Sequence, residues 1–190
     1  IEISDRKKAE ADMKYAESML RQSNLELEKL VNLDGLTQIA NRRCFDDRLG
    51  SEWQRLSRER QPIALLLFDI DYFKRYHDYY GHQFGDDALK KIAKIVEQTL
   101  YRPADLVARY GGEEFAIIFA EVGTEIVREV SRRLVNDVRN LKVLAPNGEV
   151  LSVTASFGVA SYPAHARKPQ EYIQRANAAL YRQQQYGRDS

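Results

Sequence analysis

The feature that most limits how this chain can fold is the run Ile63-Ala64-Leu65-Leu66-Leu67-Phe68-Asp69-Ile70-Asp71, six apolar residues closed by an alternating acidic pair. It is too short for a buried helix. Without alternation, it reads as a central strand covered on both faces, which requires helices above and below a sheet. Pro62 precedes it. An amphipathic segment at about 43–60 comes before it, with Phe45, Leu49, Trp53 and Leu56 at helical spacing, and others follow at about 86–101, 123–141 and 168–186. Strand character recurs at 106–110 and 114–120 around Gly111-Gly112, and again within 150–162. Gly-Gly between two such runs signals a hairpin, because both positions tolerate positive φ. A hairpin among crossover helices predicts an α+β architecture with a mixed central sheet covered by helices, rather than a doubly wound parallel sheet.

Residues 1–33 differ from the rest, with no Gly or Pro and apolar or small residues at Ala9, Met13, Ala16, Leu20, Ser23, Leu27 and Leu30. That 4-3 spacing is a heptad seam and predicts a coiled-coil helix with a partner. One amphipathic helix folded back on its own domain is the competing arrangement, although the narrow stripe favours the coiled coil. The division is thus 1–33 as an N-terminal signalling helix and 34–190 as the catalytic domain.

Composition removes several function classes. Lys+Arg 29 against Asp+Glu 28 leaves a net charge of +1, so no global field points to nucleic acid or membrane. A lone Cys44 gives no internal disulfide and fits a reducing compartment. No run approaches a membrane span and no signal peptide opens the chain, so a cytoplasmic location is expected.

Carboxylates at the end of a buried strand are costly unless paired or bound to a cation. Asp69 and Asp71 stand there, and Glu113-Glu114 stand at the exit of the Gly-Gly turn. If the hairpin lies beside the strand, acids from two elements converge; if it does not, the glutamates solvate a hairpin tip. Hard oxygen donors without a His or Cys set suit Mg²⁺ and a phosphorylated substrate rather than zinc. Lys74 and the amides just after the strand could meet phosphate. There is no Walker sequence, and nothing supports a Ser-His-Asp centre, since no GxSxG occurs and His165 lies in a polar loop. His77 and His82 have no Cys nearby, and a buried, hydrogen-bonded His82 is the expectation.

Taken together, the strings resemble the GGDEF-domain diguanylate cyclases. Gly111-Gly112-Glu113-Glu114-Phe115 is similar to the signature, here as GGEEF. Asp34-Gly35-Leu36-Thr37, Asn41-Arg42-Arg43, Phe68 to Lys74, Gly81-His82, Gly85-Asp86, Ser156 to Val159 and Ala179-Leu180-Tyr181 stand around it in order. The resemblance implies a palm-like fold, related to nucleotidyl cyclases and ferredoxin-like sheets. It also implies condensation of two GTP into cyclic di-GMP and pyrophosphate across a homodimer. Asp69, the Ile70 carbonyl and Glu113 would bind two Mg²⁺, with Mn²⁺ as an alternative. Tyr72, Phe73, Lys74 and Arg188 would contact phosphates, His77 and Asp86 the guanine, Gly111 and Gly112 the closely approaching substrate, and Glu114 the metal or the attacking hydroxyl. Arg102, Asp105 and Arg133 match the RxxD product-inhibition site.

Three positions depart from the family: His77 for Asn, Gln184 for Lys and Asn177 for Asp. They predict weaker GTP binding or relaxed base choice, or a domain that senses GTP or cyclic di-GMP without turnover. Residues 1–10 resemble the end of a PAS sensor domain, which implies an upstream sensor acting through the heptad helix.

Overall fold

A computed structural model of the chain describes residues 2–163 and 168–186; Arg188 and His165 lie outside the described residues. The elements in order are α1 (Glu2–Asn32), β1 (Ala40–Asn41), α2 (Arg42–Glu59), β2 (Pro62–Ile70), α3 (Phe73–Tyr80), α4 (His82–Thr99) and β3 (Leu106–Arg109). They continue with β4 (Glu114–Ala120), α5 (Thr124–Asn140), β5 (Lys142–Leu144), β6 (Val150–Ser152), β7 (Ala155–Pro163) and α6 (Pro169–Tyr186).

The apolar run is indeed central. The five-stranded sheet has the order β1-β3-β4-β2-β7, with only β1 and β3 paired in parallel. Residues alternate across a strand. Ile63, Leu65 and Leu67 therefore pack with Phe45, Leu49, Tyr172 and Leu180 of α2 and α6. Ala64, Leu66 and Phe68 pack on the other face with Leu89, Ile92 and Leu134 of α4 and α5. This is the expected mixed α+β sandwich, and no described helix is long and apolar enough to cross a membrane.

Three local expectations are corrected. The stretch before residue 86 is helical: α3 begins at Phe73 and α4 already at His82, with Gly81 between them at φ 86°. The small β5–β6 hairpin carries too few residues to show a strand pattern, since each strand has three. Gly111 and Gly112 are not in the left-handed region; among the described glycines, only Gly81 and Gly148 are. At Gly111 alone of the two there is a steric contact, since a Cβ would sit 2.4 Å from Oε2 at the end of the flexible, exposed Glu114 side chain.

Helix α1 does not fold back on the domain. Leu20 and Leu30 on its seam are 64% and 79% exposed. Its end is fastened at one joint, where the Asn41 amide donates to the carbonyls of Val31 and Leu33 while its oxygen caps α2 by accepting from the Cys44 amide.

Helix α6 lies directly on β7. A Cβ at Gly158 would fall 2.2 Å from the Ala176 carbonyl oxygen and 2.5 Å from the Leu180 nitrogen, both backbone atoms. Relief requires moving the helix. Gly158→Ala is expected to cost about 2–3 kcal/mol in urea denaturation, the range for overpacking a filled interior. Gly112→Ala, with nothing within 4 Å of the added carbon, stays within about 0.5 kcal/mol of wild type.

Candidate active site

The site forms where β2 runs out of core. Asp69 is half-buried and faces Glu114 across the β2–β4 ladder, in direct register. The Ile70 amide donates to the Glu113 carbonyl at 3.3 Å, which draws the Gly-Gly turn over the strand end. Asp69, Ile70, Gly111, Gly112, Glu113 and Glu114 are therefore brought to one edge, as the conditional reading of the hairpin required.

The turn is held from outside by residues that sequence reasoning did not single out for this purpose. Arg109 donates from Nε and Nη2 to the Gly112 carbonyl, at 3.0 and 2.8 Å, and from Nη1 to Asp34 at 3.2 Å. Asp34 also accepts from the Thr37 amide and hydroxyl. Burial opposes the Asp34 charge, but the bonds from Thr37 and Arg109 prevail and keep its carboxyl below the usual range. The Asp34-Gly35-Leu36-Thr37 string thereby gains a physical role: it fixes the hairpin tip.

Asp71 proves structural rather than a second face-sharing acid. The strand ends at Ile70, and the Asp71 carboxylate is buried, accepting from the Thr154 hydroxyl at 2.9 Å and the Ser156 hydroxyl at 2.8 Å. It fastens the start of β7 to the end of β2.

Asp69 differs sharply. Its Oδ2 accepts from the Gln184 amide on α6 at 2.7 Å, whereas its buried Oδ1 has no hydrogen-bond partner among the described residues. A buried carboxylate oxygen without a partner is costly and calls for a cation or proton. Burial is the largest influence and pushes the carboxyl up to about 6; the Gln184 bond opposes this, while the charges of Glu113, Glu114 and Asp71 add to it. Among the described residues, no three His, Cys, Asp or Glu side chains converge to hold a metal alone. The donors at hand are two carboxylates and a backbone carbonyl. Such a partial shell of hard oxygens fits Mg²⁺, which keeps water and substrate phosphate in its remaining positions.

Beyond the strand, Tyr72 adopts φ 56°, a left-handed conformation rare for a bulky residue. It turns the chain into α3, where its carbonyl accepts from the amides of Arg75 and Tyr76. Lys74 is exposed on the first turn of α3, and Asp86 is half-buried on α4. Phe73 is buried, so its ring belongs to the core and only its backbone could meet a phosphate.

The expectation that His82 is buried and hydrogen-bonded is corrected. His82 is exposed, and it is His77 whose Nε2 is buried without a partner among the described residues. The rings meet edge-on at 4.5 Å, and His77 lies against Gly85, where a Cβ would fall 2.0 Å from its Cδ2. The absent side chain at Gly85 is what admits the imidazole.

Away from this edge, Arg102 bonds to Asp105 at 3.2 Å and to the Ala120 carbonyl at 3.1 Å. Burial raises the Asp105 carboxyl, partly offset by Arg102. Arg133 is exposed on α5, with its guanidinium 5.4 Å from the Tyr101 ring centre.

Residues 31–190 match the family described as diguanylate cyclase, GGDEF domain. The chain is 31% identical over 190 residues to response regulator PleD of Caulobacter vibrioides, covering all of this chain and 42% of that protein. It is 37% identical over 159 residues to diguanylate cyclase DgcP of Pseudomonas aeruginosa, covering 82% of this chain and 23% of that protein. The coiled coil and GGDEF domain of DgcB from Caulobacter crescentus, crystallised with c-di-GMP, is similar at a TM-score of 0.87 and 30% identity, covering 94% of each chain. The chain spans less than half the length of the curated relatives it matches, 44% and 42% of two of them.

The raised Asp69 carboxyl sets a pH dependence for metal-free protein. Protonation is the favoured native state, so its stabilisation is complete below about pH 4 and is lost as pH rises through about 6. Asp69→Asn is expected to unfold at a higher temperature than wild type at pH 7–8, with the difference vanishing below about pH 4, as read by calorimetry without divalent ions.

Proposed function

The chain is a member of the GGDEF-domain family of diguanylate cyclases, and from that membership we propose that it condenses two GTP into cyclic di-GMP and pyrophosphate. The observation that best supports this activity is the buried, unpartnered Asp69 oxygen opposed by Glu113 and Glu114 at the hairpin tip. An arrangement built only for stability would not leave that oxygen open.

In this reading Asp69, the Ile70 carbonyl and Glu113 hold two Mg²⁺. When bound, the metal supplies charge neutralisation at the phosphates and lowers the pKa of the attacking 3′-hydroxyl. The protein's own groups position the rest. Amides at the start of α3 and the Lys74 ammonium, with Arg188, bind the triphosphate. The Asp86 carboxylate accepts from the guanine N1–H and exocyclic amine, and His77 adds a donor or acceptor at the same base. Gly111 and Gly112 let the nucleotide approach the backbone, and Glu114 accepts the 3′-hydroxyl proton as the oxygen attacks the α-phosphate of the second GTP. Pyrophosphate leaves in line with that attack, and the reciprocal attack by the second GTP's 3′-hydroxyl closes the ring and releases a second pyrophosphate.

Each domain carries one GTP, so two domains must face each other. The exposed heptad face of α1 supplies the means to dimerise, and the PAS-like start of the sequence supports an upstream sensor that sets the pairing. Arg102, Asp105 and Arg133 form the inhibitory product site. Arg102 is held by Asp105 and the Ala120 carbonyl, and the product would have to draw it away.

One observation favours the receptor reading. Gln184 spends its amide on Asp69, where a lysine would bring charge toward phosphate. Incubating purified protein with GTP and Mg²⁺, and resolving products by liquid chromatography and mass spectrometry, separates the two readings. Cyclic di-GMP establishes the cyclase; GTP binding by a dimer without product establishes the receptor. For the cyclase, Asp69→Asn and Glu113→Gln each abolish turnover with the fold retained by circular dichroism, and preserved activity would sink the metal assignment. Arg102→Ala relieves product inhibition while initial rates hold, and undiminished inhibition would leave Arg102 as a hairpin brace.

A further inference from the structure

A groove of about 760 Å³ lies on the side of the molecule between α5, β7 and α6, outside the nucleotide site. Its walls carry Arg128 and Arg132 from α5 and Arg175 and Arg182 from α6. Its floor is the outer edge of β7, which among the described residues pairs only with β2.

The hydrogen-bond phase of that edge can be worked out. The Ile70 amide points to the β4 side and the Asp71 amide to the β7 side, at Thr154. Amides of β2 therefore alternate, with Leu65, Leu67 and Asp69 directed at β7. Their register partners Ala160, Gly158 and Ser156 face inward. Phe157, Val159 and Ser161 consequently direct their amides and carbonyls outward. The Phe157 amide confirms the phase, because it is met from α6 by the Gln183 side chain at 2.8 Å. Val159 and Ser161, further along, line the groove. Backbone groups of this kind seek partners.

Charge and geometry together select the ligand. A strand added in the plane of the sheet sends successive side chains to opposite faces. Here one face is walled by α5 and the other by α6, and each wall carries two arginines. Consecutive acidic residues on an added strand would therefore meet arginines alternately above and below. A compact phosphate would engage one wall without using the strand edge. We propose that β7 is a docking edge for a short extended acidic segment of a partner protein, which pairs with Val159 and Ser161 and places its carboxylates against the arginines of both helices. At ~1.5 Å per helical residue the α6 wall from Arg175 to Arg182 runs about 10 Å, room for about three strand residues at ~3.3 Å each. Basic side chains along an edge also discourage pairing with basic strands, which restricts the choice further.

The test uses the full chain and fluorescein-labelled hexaglutamate, followed by fluorescence anisotropy. Arg132→Glu and Arg182→Glu, one on each wall and both exposed, should each weaken binding by about tenfold or more. Hexaglutamate N-methylated at every residue keeps its side-chain charge but has no edge left to pair in a ladder, and should fail to bind. Amide exchange at Val159 and Ser161 should slow when the unmodified peptide is present. The proposal is overturned by equal binding of the methylated peptide or inorganic tripolyphosphate, which would indicate a bare anion site. Sensitivity to only one wall, or no binding at all, overturns it too. So does sedimentation showing that these two variants disrupt self-association, since a second copy would then occupy the edge.

Discussion

The architecture depends on complete desolvation of one strand. From Ile63 to Phe68, β2 is buried on both faces, with a neighbouring strand on either side. Such a strand can carry charge only where it ends. The chain places carboxylates there and deals with them in opposite ways. Asp71 has its oxygens met by two hydroxyl donors, and its amide bonds to the Thr154 carbonyl just before β7. Asp69, two residues earlier, has one oxygen satisfied and one left open. The same desolvation that makes the core makes that oxygen a strong seat for a cation, because water no longer competes for it.

The parts legible in the sequence were those whose signal is periodic and long. The buried strand, the 114–120 strand and helices α2, α5 and α6 fall within a residue or two of the pattern, because burial and period coincide. The missed parts were fixed by tertiary context. Helix α3 is only eight residues long, so its stripe of Phe73, Tyr76 and Tyr80 is too short to stand out in the sequence; it forms because those rings pack on the core while Gly81 permits the turn into α4. The Gly-Gly turn was correctly read as a hairpin, but for a different reason from the one that applies. Neither glycine is left-handed; Gly111 lies against the end of the Glu114 side chain, and Gly112 has open space around it. Which histidine is buried depended on Gly85 being opposite His77, a pairing no local pattern reveals.

Motif strings also acquire distinct jobs once placed. Asp34 lies far from Gly111 in sequence, yet Arg109 bridges it to the Gly112 carbonyl while Thr37 donates to it, so the string steadies the Gly-Gly turn. Asn41 caps α2 and simultaneously grips the end of α1. Asn41, itself in β1, thus links the end of α1 to the first turn of α2 and to the sheet.

Helix α6 binds these features to the opposite edge. Its adjacent residues Gln183 and Gln184 reach different strands: Gln183 accepts from the Phe157 amide on the outer edge of β7, and Gln184 donates to Asp69 at the end of β2. Gly158 keeps the helix in backbone contact with β7 between them. Because interiors packed at this density do not deform continuously, α6 cannot slide along β7 without disturbing both bonds. The occupancy of the β7 edge and the freedom of the Asp69 carboxylate are thus tied to the position of a single helix. A lysine at position 184 would contribute its charge to the nucleotide; a glutamine contributes its hydrogen bond to that tie.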